Sequence, residues 1–231
     1  MKAFNRRFNR GLKRIFDLIS SGTAIVLLTP VWIGTAIAIK KDSEGPVFFR
    51  QGRRTKYGKI FNMYKFRSMV VNAEHMGAGL FNYENDPRVT KTGRFLRDSS
   101  MDELPQLFNI FKGDMSVVGP RPCVTYELGD FKTLNKRYKK RFRVKAGLTG
   151  YAQVKGSNDI SWDEKVGYDN RYVDLFEKYG VLIDMKILFD TVLRVFKKEN
   201  IYESKQDASL NDEEAAKREE EEIIRIAHLP D

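Results

Sequence analysis

The sequence predicts an α+β protein that is mainly helical: a small globular domain with an N-terminal re-entrant membrane helix, broken by a proline, and amphipathic interfacial helices. Three observations predict this fold class. Residues 18–39 form an uncharged run of 22 residues, the second half of the chain repeats apolar residues at helical spacing, and short β-like runs lie between them. A chain of 231 residues with 42% apolar content can build one core of ordinary size.

The uncharged run is long enough for a membrane helix, because its 22 residues reach about 33 Å as α-helix, roughly the thickness of the hydrocarbon layer. Pro30 removes the hydrogen bond to the Val26 carbonyl and predicts a sharp bend, and the Thr29 hydroxyl can satisfy a freed carbonyl there. Basic residues lie on both sides of the run, which favours a hairpin with both ends in the cytoplasm. A kinked spanning helix remains open from the residues alone.

Charge divides the rest of the chain. Residues 203–222 hold nine acidic and three basic residues, a local charge of −6, so with a formal total of +10 the remainder carries +16. A body this basic attracts phosphates, whether of nucleic acid, anionic lipid or a nucleotide. We therefore divide the chain into a basic N-terminus with the membrane helix (1–41), a globular domain (42–202) and an acidic, partly helical tail (203–231).

Short strands are predicted within the globular domain. Residues 47–49 and 60–64 have strand character on either side of a basic turn, and residues 151–154 resemble a strand that follows the turn at 147–150. Residues 70–92 are polar and mixed, which predicts a loop-rich segment.

Helices are predicted at residues 163–179 and 182–198. The second combines apolar and basic residues, a composition that suits a bilayer surface and fits an ordinary core helix equally well. In the tail, a short charged helix is predicted at 212–228. Its apolar residues leave a homodimer open as one arrangement, through Ile223, Ile224, Ile226 and Leu229.

A further helix carries an adjacent acidic pair, Asp102 and Glu103. Ser100 and Glu103 fit a capping box, although Pro105 allows a start nearer Leu104, and Gly113 supplies the end. Either start leaves both carboxylates near the helix N-terminus, where the macrodipole stabilises anions. The apolar side of this helix suits core packing or membrane contact.

The segment around this pair contains the parts that phosphoryl transfer requires. A carboxylate can act as a covalent nucleophile at phosphorus, and Asp102 or Glu103 could do so. The neighbouring carboxylate and Asp114 could hold Mg²⁺, which prefers oxygen ligands and substrate phosphates. Arg97 and Arg121 offer rigid forks for phosphate oxygens. Adjacent acids at a helix start are also commonly a cap with a solvated charge, so the pair alone leaves catalysis open.

A resemblance to a known family indicates a more specific function. The chain resembles the bacterial monotopic phosphoglycosyl transferases, also called bacterial sugar transferases, over roughly residues 12–201. The motifs that carry the resemblance occur in the family's order: KFRSM at 65–69, DPRVT at 86–90, GRFLR at 93–97, DELPQLFN at 102–109, KGDMS at 112–116, VGPRP at 118–122, GLTGYAQV at 147–154, YDNRYV at 168–173 and DMKIL at 184–188.

The resemblance implies that a sugar 1-phosphate moves from a UDP-sugar to polyprenyl (undecaprenyl) phosphate, giving polyprenyl-diphospho-sugar and UMP. Asp102 would attack the β-phosphorus and form a phosphoglycosyl-aspartate, with Glu103 as its partner in binding Mg²⁺ or handling a proton. Arg97 and Arg121 would contact substrate phosphate, with Lys65 and Arg67 as further candidates. Thr29-Pro30 stands where the family has Ser-Pro at the bend of its re-entrant helix.

The same resemblance implies a place and a pathway. The protein would be monotopic in the bacterial inner membrane, with its catalytic domain facing the cytoplasm, and would perform the first membrane step of glycoconjugate assembly. Its partners would be the UDP-sugar, polyprenyl phosphate and the lipid bilayer, with no nucleic acid. Two other functions are alternatives. One is a membrane-tethered nucleic-acid-binding protein, which would give the acidic pair no role. The other is a glycosyltransferase that transfers the sugar alone to lipid phosphate and releases UDP.

Overall fold

The computed structural model describes residues 3–76, 86–156 and 160–197. Within these ranges, 3₁₀ turns accompany the longer elements at Lys56–Gly58, Ala73–His75, Met101–Glu103 and Arg141–Arg143. The helices and strands follow in the order α1 (Ala3–Leu27), α2 (Thr29–Asp42), β1 (Phe48–Arg54), β2 (Ile60–Phe66), α3 (Lys91–Asp98), α4 (Gln106–Lys112), β3 (Ser116–Val118), α5 (Lys136–Lys140), β4 (Gly147–Thr149), α6 (Tyr151–Lys155), α7 (Trp162–Tyr179) and α8 (Val181–Lys197). The predicted α+β, mainly helical class is confirmed. The acidic tail, with its predicted helix and apolar residues, lies outside the described residues.

The helix pair α1–α2 bends by 61° where Pro30 begins the second helix. Proline has no N–H to donate and its ring clashes with the preceding turn, so the helix breaks here. The Thr29 hydroxyl donates to the Ile25 carbonyl at 2.9 Å. Among the described residues, no single helix is long and apolar enough to cross a membrane, whereas this bent pair reaches the required length and composition. Insertion of the pair into lipid stays a prediction.

Both N-terminal helices pack against the rest of the molecule. Ile39 of α2 is 2% exposed and lies in one core cluster with Phe66 and Leu96. The Trp32 ring meets the Phe108 ring edge-on, with 4.5 Å between centroids. The segment assigned from sequence to a separate membrane part therefore contributes directly to the core of the globular body.

Strands β1 and β2 form an antiparallel pair that runs from Phe48 opposite Phe66 to Arg54 opposite Ile60. Both strands are longer than predicted, and Arg53 and Arg54, assigned to the basic turn, lie within β1. They remain in the strand because each bonds the chain that follows β3. Arg54 donates its backbone N–H to the Cys123 carbonyl at 3.0 Å, and Arg53 donates from Nη1 to the Pro122 carbonyl at 2.9 Å.

The strand predicted at 151–154 is wrong: these residues form helix α6, and the strand β4 is the preceding segment that was interpreted as a turn. β4 pairs in parallel with β3, and a Cβ on Gly147 would overlap the backbone of Gly119. A strand of three residues is too short to reveal an alternating pattern. Tyr151 instead begins helix α6, and its ring packs against the Tyr168 ring with 6.1 Å between the ring centroids.

Helices α7 and α8 confirm the two helices predicted in this region, and they enclose the main core. A capping box between Ser161 and Glu164 begins α7. The core cluster joins α7 to α8 and β3 through buried side chains, among them Tyr172, Val173, Phe176, Ile183 and Ile187. The opposite side of α8 is exposed and apolar, as Leu182, Phe189 and Val192 show. This face fits the predicted interfacial position, which stays a prediction.

Candidate active site

Asp102 and Glu103 lie in the 3₁₀ turn Met101–Glu103, directly before α4. The predicted capping box at Ser100 is wrong, because Ser100 adopts a left-handed conformation with φ 55° and its side chain caps nothing in the helix. Pro105 occupies the N-cap position of α4 instead. Gly113, at φ 94°, ends the helix as predicted. The acidic pair is thus held on a tight turn between two helices.

Lys65 of β2 bridges the two carboxylates. Its Nζ lies 3.3 Å from Asp102 Oδ2 and 3.0 Å from Glu103 Oε1. Arg121 approaches Glu103 from the other side, with 3.0 Å between Nη2 and the same Oε1. The side chain of Asp102 is 11% exposed and that of Arg121 is 53% exposed. The structure therefore brings four predicted residues together, with the arginine on the open side.

The charges of this cluster reinforce one another. Burial alone would favour the neutral form of Glu103, but Lys65 and Arg121 outweigh it and hold the pKa of Glu103 well below its ordinary value. In return, Glu103 raises the pKa of Arg121. Glu103 is consequently an anion and Arg121 a cation throughout the neutral pH range.

Arg121 is presented by a backbone that is fixed on both sides. The Gly119 N–H donates to Thr149 at 2.8 Å, and the Pro120 carbonyl accepts from the Gly147 N–H at 2.9 Å. At the next position, the carbonyl of Arg121 itself accepts from Arg141 Nη2 at 2.7 Å. A rigid backbone lets the guanidinium meet a phosphate with little loss of conformational entropy.

Arg97 lies on α3, which packs against the turn that carries the acidic pair. Its Nε donates to Ser68 Oγ at 2.9 Å. Thr90 caps this helix by accepting from the Gly93 N–H, and Asp42 at the end of α2 accepts from the Thr92 N–H at 2.8 Å. The arginine is therefore carried on a helix that is fixed to the end of α2.

The structure does not bring Arg67 to the acidic pair. Its guanidinium donates to the carbonyls of Ser43 and Glu44, at the end of α2, and to the Ser43 hydroxyl at 3.0 Å. The residue is 5% exposed. Arg67 lies two residues, about 7 Å, beyond Lys65 along the extended chain. Its backbone N–H still bonds to the Val47 carbonyl at 2.9 Å, and at this position the side chain reaches the end of α2 instead of the acidic turn. Arg67 holds backbone here and is not available to a phosphate.

Asp114 is also placed elsewhere, since it follows α4 and the acidic pair precedes it. Its Oδ2 accepts from Asn109 Nδ2 at 3.4 Å, and its carbonyl accepts from Thr55 at 2.9 Å. Within residues 3–76, 86–156 and 160–197, no group of three or more His, Cys, Asp or Glu side chains is arranged to hold a metal. The predicted magnesium ligand set of Asp102, Glu103 and Asp114 is therefore not assembled.

Two carboxylate oxygens at the site still suit a magnesium ion. Among the described residues, neither Asp102 Oδ1 nor Glu103 Oε2 receives a hydrogen bond, whereas Asp102 Oδ2 and Glu103 Oε1 are bound by Lys65 and Arg121. Mg²⁺ commonly uses one or two carboxylates and completes its coordination with substrate phosphates and water. The acidic pair fits this pattern without Asp114.

Comparison with known proteins identifies the family. A family model described as bacterial sugar transferase matches residues 8–198, which include every residue of the site. The chain belongs to the bacterial sugar transferases. The resemblance inferred from its motifs is thereby confirmed.

Curated relatives of this sugar transferase carry related names. The undecaprenyl-phosphate galactose phosphotransferase of Salmonella typhimurium is 38% identical over 211 residues, 85% of this chain and 43% of the relative. A UDP-glucose:undecaprenyl-phosphate glucose-1-phosphate transferase of Escherichia coli is 40% identical over 193 residues, 81% of this chain and 41% of the relative. The chain thus spans less than half the length of these relatives. It covers 91% of the uncharacterized sugar transferase EpsL of Bacillus subtilis, at 40% identity.

Sequence reasoning missed one buried residue that supports the site of this sugar transferase. Arg141 is 2% exposed, pairs with Asp169 at 2.9 Å and donates to the Arg121 carbonyl. It stands in the strongly basic run 136–145, where composition suggests solvated charge and gives no sign that one arginine is buried. The sequence offers one indication of this buried ion pair. Within the YDNRYV motif at 168–173, Asp169 falls on the buried side of an amphipathic helix, where a carboxylate needs a cation.

Proposed function

We propose that this chain transfers a sugar 1-phosphate from a UDP-sugar to polyprenyl phosphate and releases UMP, through a covalent phosphoglycosyl-aspartate at Asp102. This would be the first membrane step in the assembly of a bacterial glycoconjugate. One observation carries the proposal: an acidic pair on a tight turn shares Lys65, and Arg121 stands on its open side. The names of the curated relatives, which act on undecaprenyl phosphate, support the acceptor.

The pairing of charges favours Asp102 as the nucleophile. Glu103 Oε1 lies 3.0 Å from both Lys65 and Arg121, whereas Asp102 approaches only Lys65, at 3.3 Å. A carboxylate whose charge is satisfied by two cations attacks phosphorus less readily than one with a single, longer contact. Glu103 is then the partner that keeps Lys65 and Arg121 in position.

The proposed reaction proceeds in two displacements at one phosphorus. An Asp102 oxygen bonds to the β-phosphorus while the bond from that phosphorus to the bridging oxygen breaks, and UMP leaves with the electron pair. A phosphate oxygen of polyprenyl phosphate then bonds to the same phosphorus, and the aspartate oxygen leaves as carboxylate. Lys65 and Arg121 offset the negative charge that both substrates bring.

We further propose Mg²⁺ as the cofactor, held by Asp102 Oδ1, Glu103 Oε2 and substrate phosphate oxygens. When bound, the ion would withdraw charge from the diphosphate and so assist departure of UMP. The residues of the chain orient this arrangement: Lys65 fixes the two carboxylates relative to each other, and Arg121 limits rotation of Glu103.

The proposed location is the bacterial inner membrane, with the catalytic body at the cytoplasmic surface. The bent α1–α2 pair is apolar and exposed on its outer side, as Ile19, Val26 and Ile33 show. The exposed face of α8 adds Leu182 and Phe189. An enzyme seated this way meets a dissolved nucleotide sugar and a lipid-borne acceptor at one interface.

Nucleotide analysis tests the proposal. Full-length protein is incubated with a panel of UDP-sugars and polyprenyl phosphate, and the released nucleotide and the intact protein mass are measured. We expect UMP and an adduct on Asp102 in the wild type, and loss of both in Asp102→Asn, because an amide is a poor nucleophile while the fold is retained. Released UDP would instead indicate transfer of the sugar alone, and wild-type turnover in Asp102→Asn would refute the assignment of the nucleophile.

A further inference from the structure

Three cations gather at the far end of α4 from the acidic pair; we call Arg14, Lys56 and Lys145 the basic cluster. A Cβ built on Gly113 would lie 3.3 Å from both Arg14 Cζ and Lys145 Nζ, so these two groups converge on one point. Lys56 adjoins them through Thr55, whose hydroxyl donates to the Asp114 carbonyl and accepts from the Ala146 N–H. Residues from α1, the hairpin of β1 and β2, and the segment before β4 therefore share one basic surface.

No ion pair closes the basic cluster among the described residues. In the part of the chain that the structure describes, none of its three residues has an acidic side chain within ion-pair distance. The nearby Asp17 is buried and accepts from the Ser116 hydroxyl and the Val117 N–H, each at 2.9 Å. Burial and the proximity of Arg14 lower the pKa of Lys145. Asp17 and Asp114 act on Lys145 only from beyond ion-pair distance, and Asp114 Oδ2 already accepts from Asn109 Nδ2, so the three cations keep a positive excess that an anion from outside would complete.

Capping of α4 accounts for Arg14 alone. Its Nη1 and Nη2 each lie 2.7 Å from a carbonyl of the last helical turn, those of Ile110 and Phe111. Among the residues that the structure describes, neither Lys145 Nζ nor Lys56 Nζ donates a hydrogen bond, and Lys56 Nζ lies 4.8 Å from the centroid of the Tyr57 ring. The two lysines therefore have ammonium groups that remain free to bind a phosphate.

The basic cluster also lies where the uncharged run begins. Arg14 precedes Leu18 by four residues, about 6 Å along a helix. Phe111 is 47% exposed, and a Cβ on Gly22, inside the run, would lie 3.3 Å from the Phe111 ring. An exposed aromatic ring beside the uncharged helix, with Arg14 about one turn before the run and Lys145 converging on Arg14, matches the boundary between acyl chains and headgroups.

We propose that the basic cluster binds the phosphate of an anionic phospholipid headgroup at the point where α1 enters the bilayer. This site would hold the membrane-facing side of α4 at headgroup depth and so fix the height of the acidic pair above the lipid. The proposal rests on the proposed insertion of α1 and α2 into lipid, and it does not depend on the chemistry of Asp102. Apolar contact from Phe111 favours a lipid over a dissolved phosphate.

Native mass spectrometry of the full-length protein in neutral detergent tests this site. The protein is offered equal amounts of phosphatidylglycerol and phosphatidylcholine, and the retained ratio is compared among the wild type, Lys145→Gln, the double variant Lys56→Gln/Lys145→Gln and the control Lys132→Gln. Lys132 is exposed and lies on the loop before α5, so its variant matches the charge change outside the basic cluster. We expect the preference for phosphatidylglycerol to fall about fivefold per cluster lysine and to stay unchanged in the control.

Two further measurements make the outcome decisive. Inorganic phosphate added at millimolar concentration should leave bound phosphatidylglycerol in place; displacement would overturn the lipid assignment in favour of a free phosphate site. Equal preference in the wild type and the double variant would overturn the site itself, whether or not thermal unfolding shows that the variant is destabilised. UMP release is measured in parallel, so failure of the proposed transfer reaction would be seen separately from failure of lipid binding.

Discussion

A single ammonium group organises the acidic pair to which we assign catalysis. Lys65 Nζ contacts one oxygen of each carboxylate, so Asp102 and Glu103 are brought side by side without a second cation between them. Without Lys65 and Arg121, a neighbouring carboxylate would disfavour the charged form of Glu103. The shared lysine, with Arg121 on Glu103, keeps Glu103 ionised and leaves the free oxygens of the pair for substrate and metal.

Two arginines of the motifs should respond to substitution in opposite ways. Arg67→Gln should lower the free energy of unfolding by about 2–3 kcal/mol, because the carbonyls of Ser43 and Glu44 lose a charged donor that is itself buried. Arg121→Gln should change the free energy of unfolding little, because its side chain is 53% exposed, and should reduce kcat/KM for the UDP-sugar by tenfold or more. Thermal unfolding and UMP release, measured on both variants, check the pair.

Arg67→Lys serves as the control, because it keeps the charge and loses the fork that reaches two carbonyls. It should be destabilised nearly as much as Arg67→Gln and retain most of the UMP release. A stable Arg67→Gln protein with a raised KM would contradict the structural role given to Arg67.

The residue types of the site were predictable from the sequence, but the direction in which each side chain points was not. Phosphoryl chemistry pointed to the acids and arginines of the motifs, and the structure does assemble Asp102, Glu103, Lys65 and Arg121. Arg67 stands only two residues after Lys65, so no pattern of charge separates the two. What separates them is the element packed beside each position, a tertiary feature: the acidic turn lies beside Lys65, and the end of α2 lies beside Arg67.

Among the elements, the prediction succeeded where a local cause acts strongly. Pro30 marks the bend of α1 and α2, Gly113 ends α4, and α7 and α8 follow long periodic patterns. It failed at β4 and α6, because a three-residue parallel strand is held by its partner β3 rather than by its own sequence. Close approach of Gly147 to Gly119 decides that pairing, and an isolated sequence does not reveal the partner.

The bend also makes a topological prediction that thiol labelling can check. We expect cysteines introduced by Lys2→Cys and Lys41→Cys to be labelled from the same, cytoplasmic side, because the hairpin predicted from the basic flanks would return to the side that it leaves. The native Cys123 supplies little background, since it is 1% exposed and burial raises the pKa of its thiol.

Pro30→Ala is the matched variant for this experiment. Alanine restores an N–H for the Val26 carbonyl, removes the ring clash and favours a straighter helix. We expect the two labels to separate onto opposite faces in a fraction of the Pro30→Ala molecules. Labelling of positions 2 and 41 on opposite faces in the otherwise native protein would exclude the hairpin.

At the scale of the whole molecule, α1 is fastened to the catalytic body by buried polar groups. Lys13 Nζ lies 2.6 Å from Asp184 Oδ2 and 2.8 Å from the Val118 carbonyl, and Tyr172 donates to the other oxygen of Asp184 at 2.8 Å. Asp17 accepts from both Ser116 and Val117. These contacts fix β3, whose next residues lead to Arg121. The N-terminal helix is therefore part of the support of the active site.

We expect a fragment of residues 42–202 to be unable to fold on its own. Removing Lys13 leaves Asp184 buried without its cation, which alone costs about 3–5 kcal/mol out of a typical stability of about 5–15 kcal/mol. Loss of Ile39 and Trp32 then opens the clusters around Phe66 and Phe108 as well. Residues 1–202 are the control and should unfold cooperatively and release UMP. Cooperative thermal unfolding of 42–202, followed by circular dichroism, would show instead that the N-terminal helices only anchor a self-sufficient body.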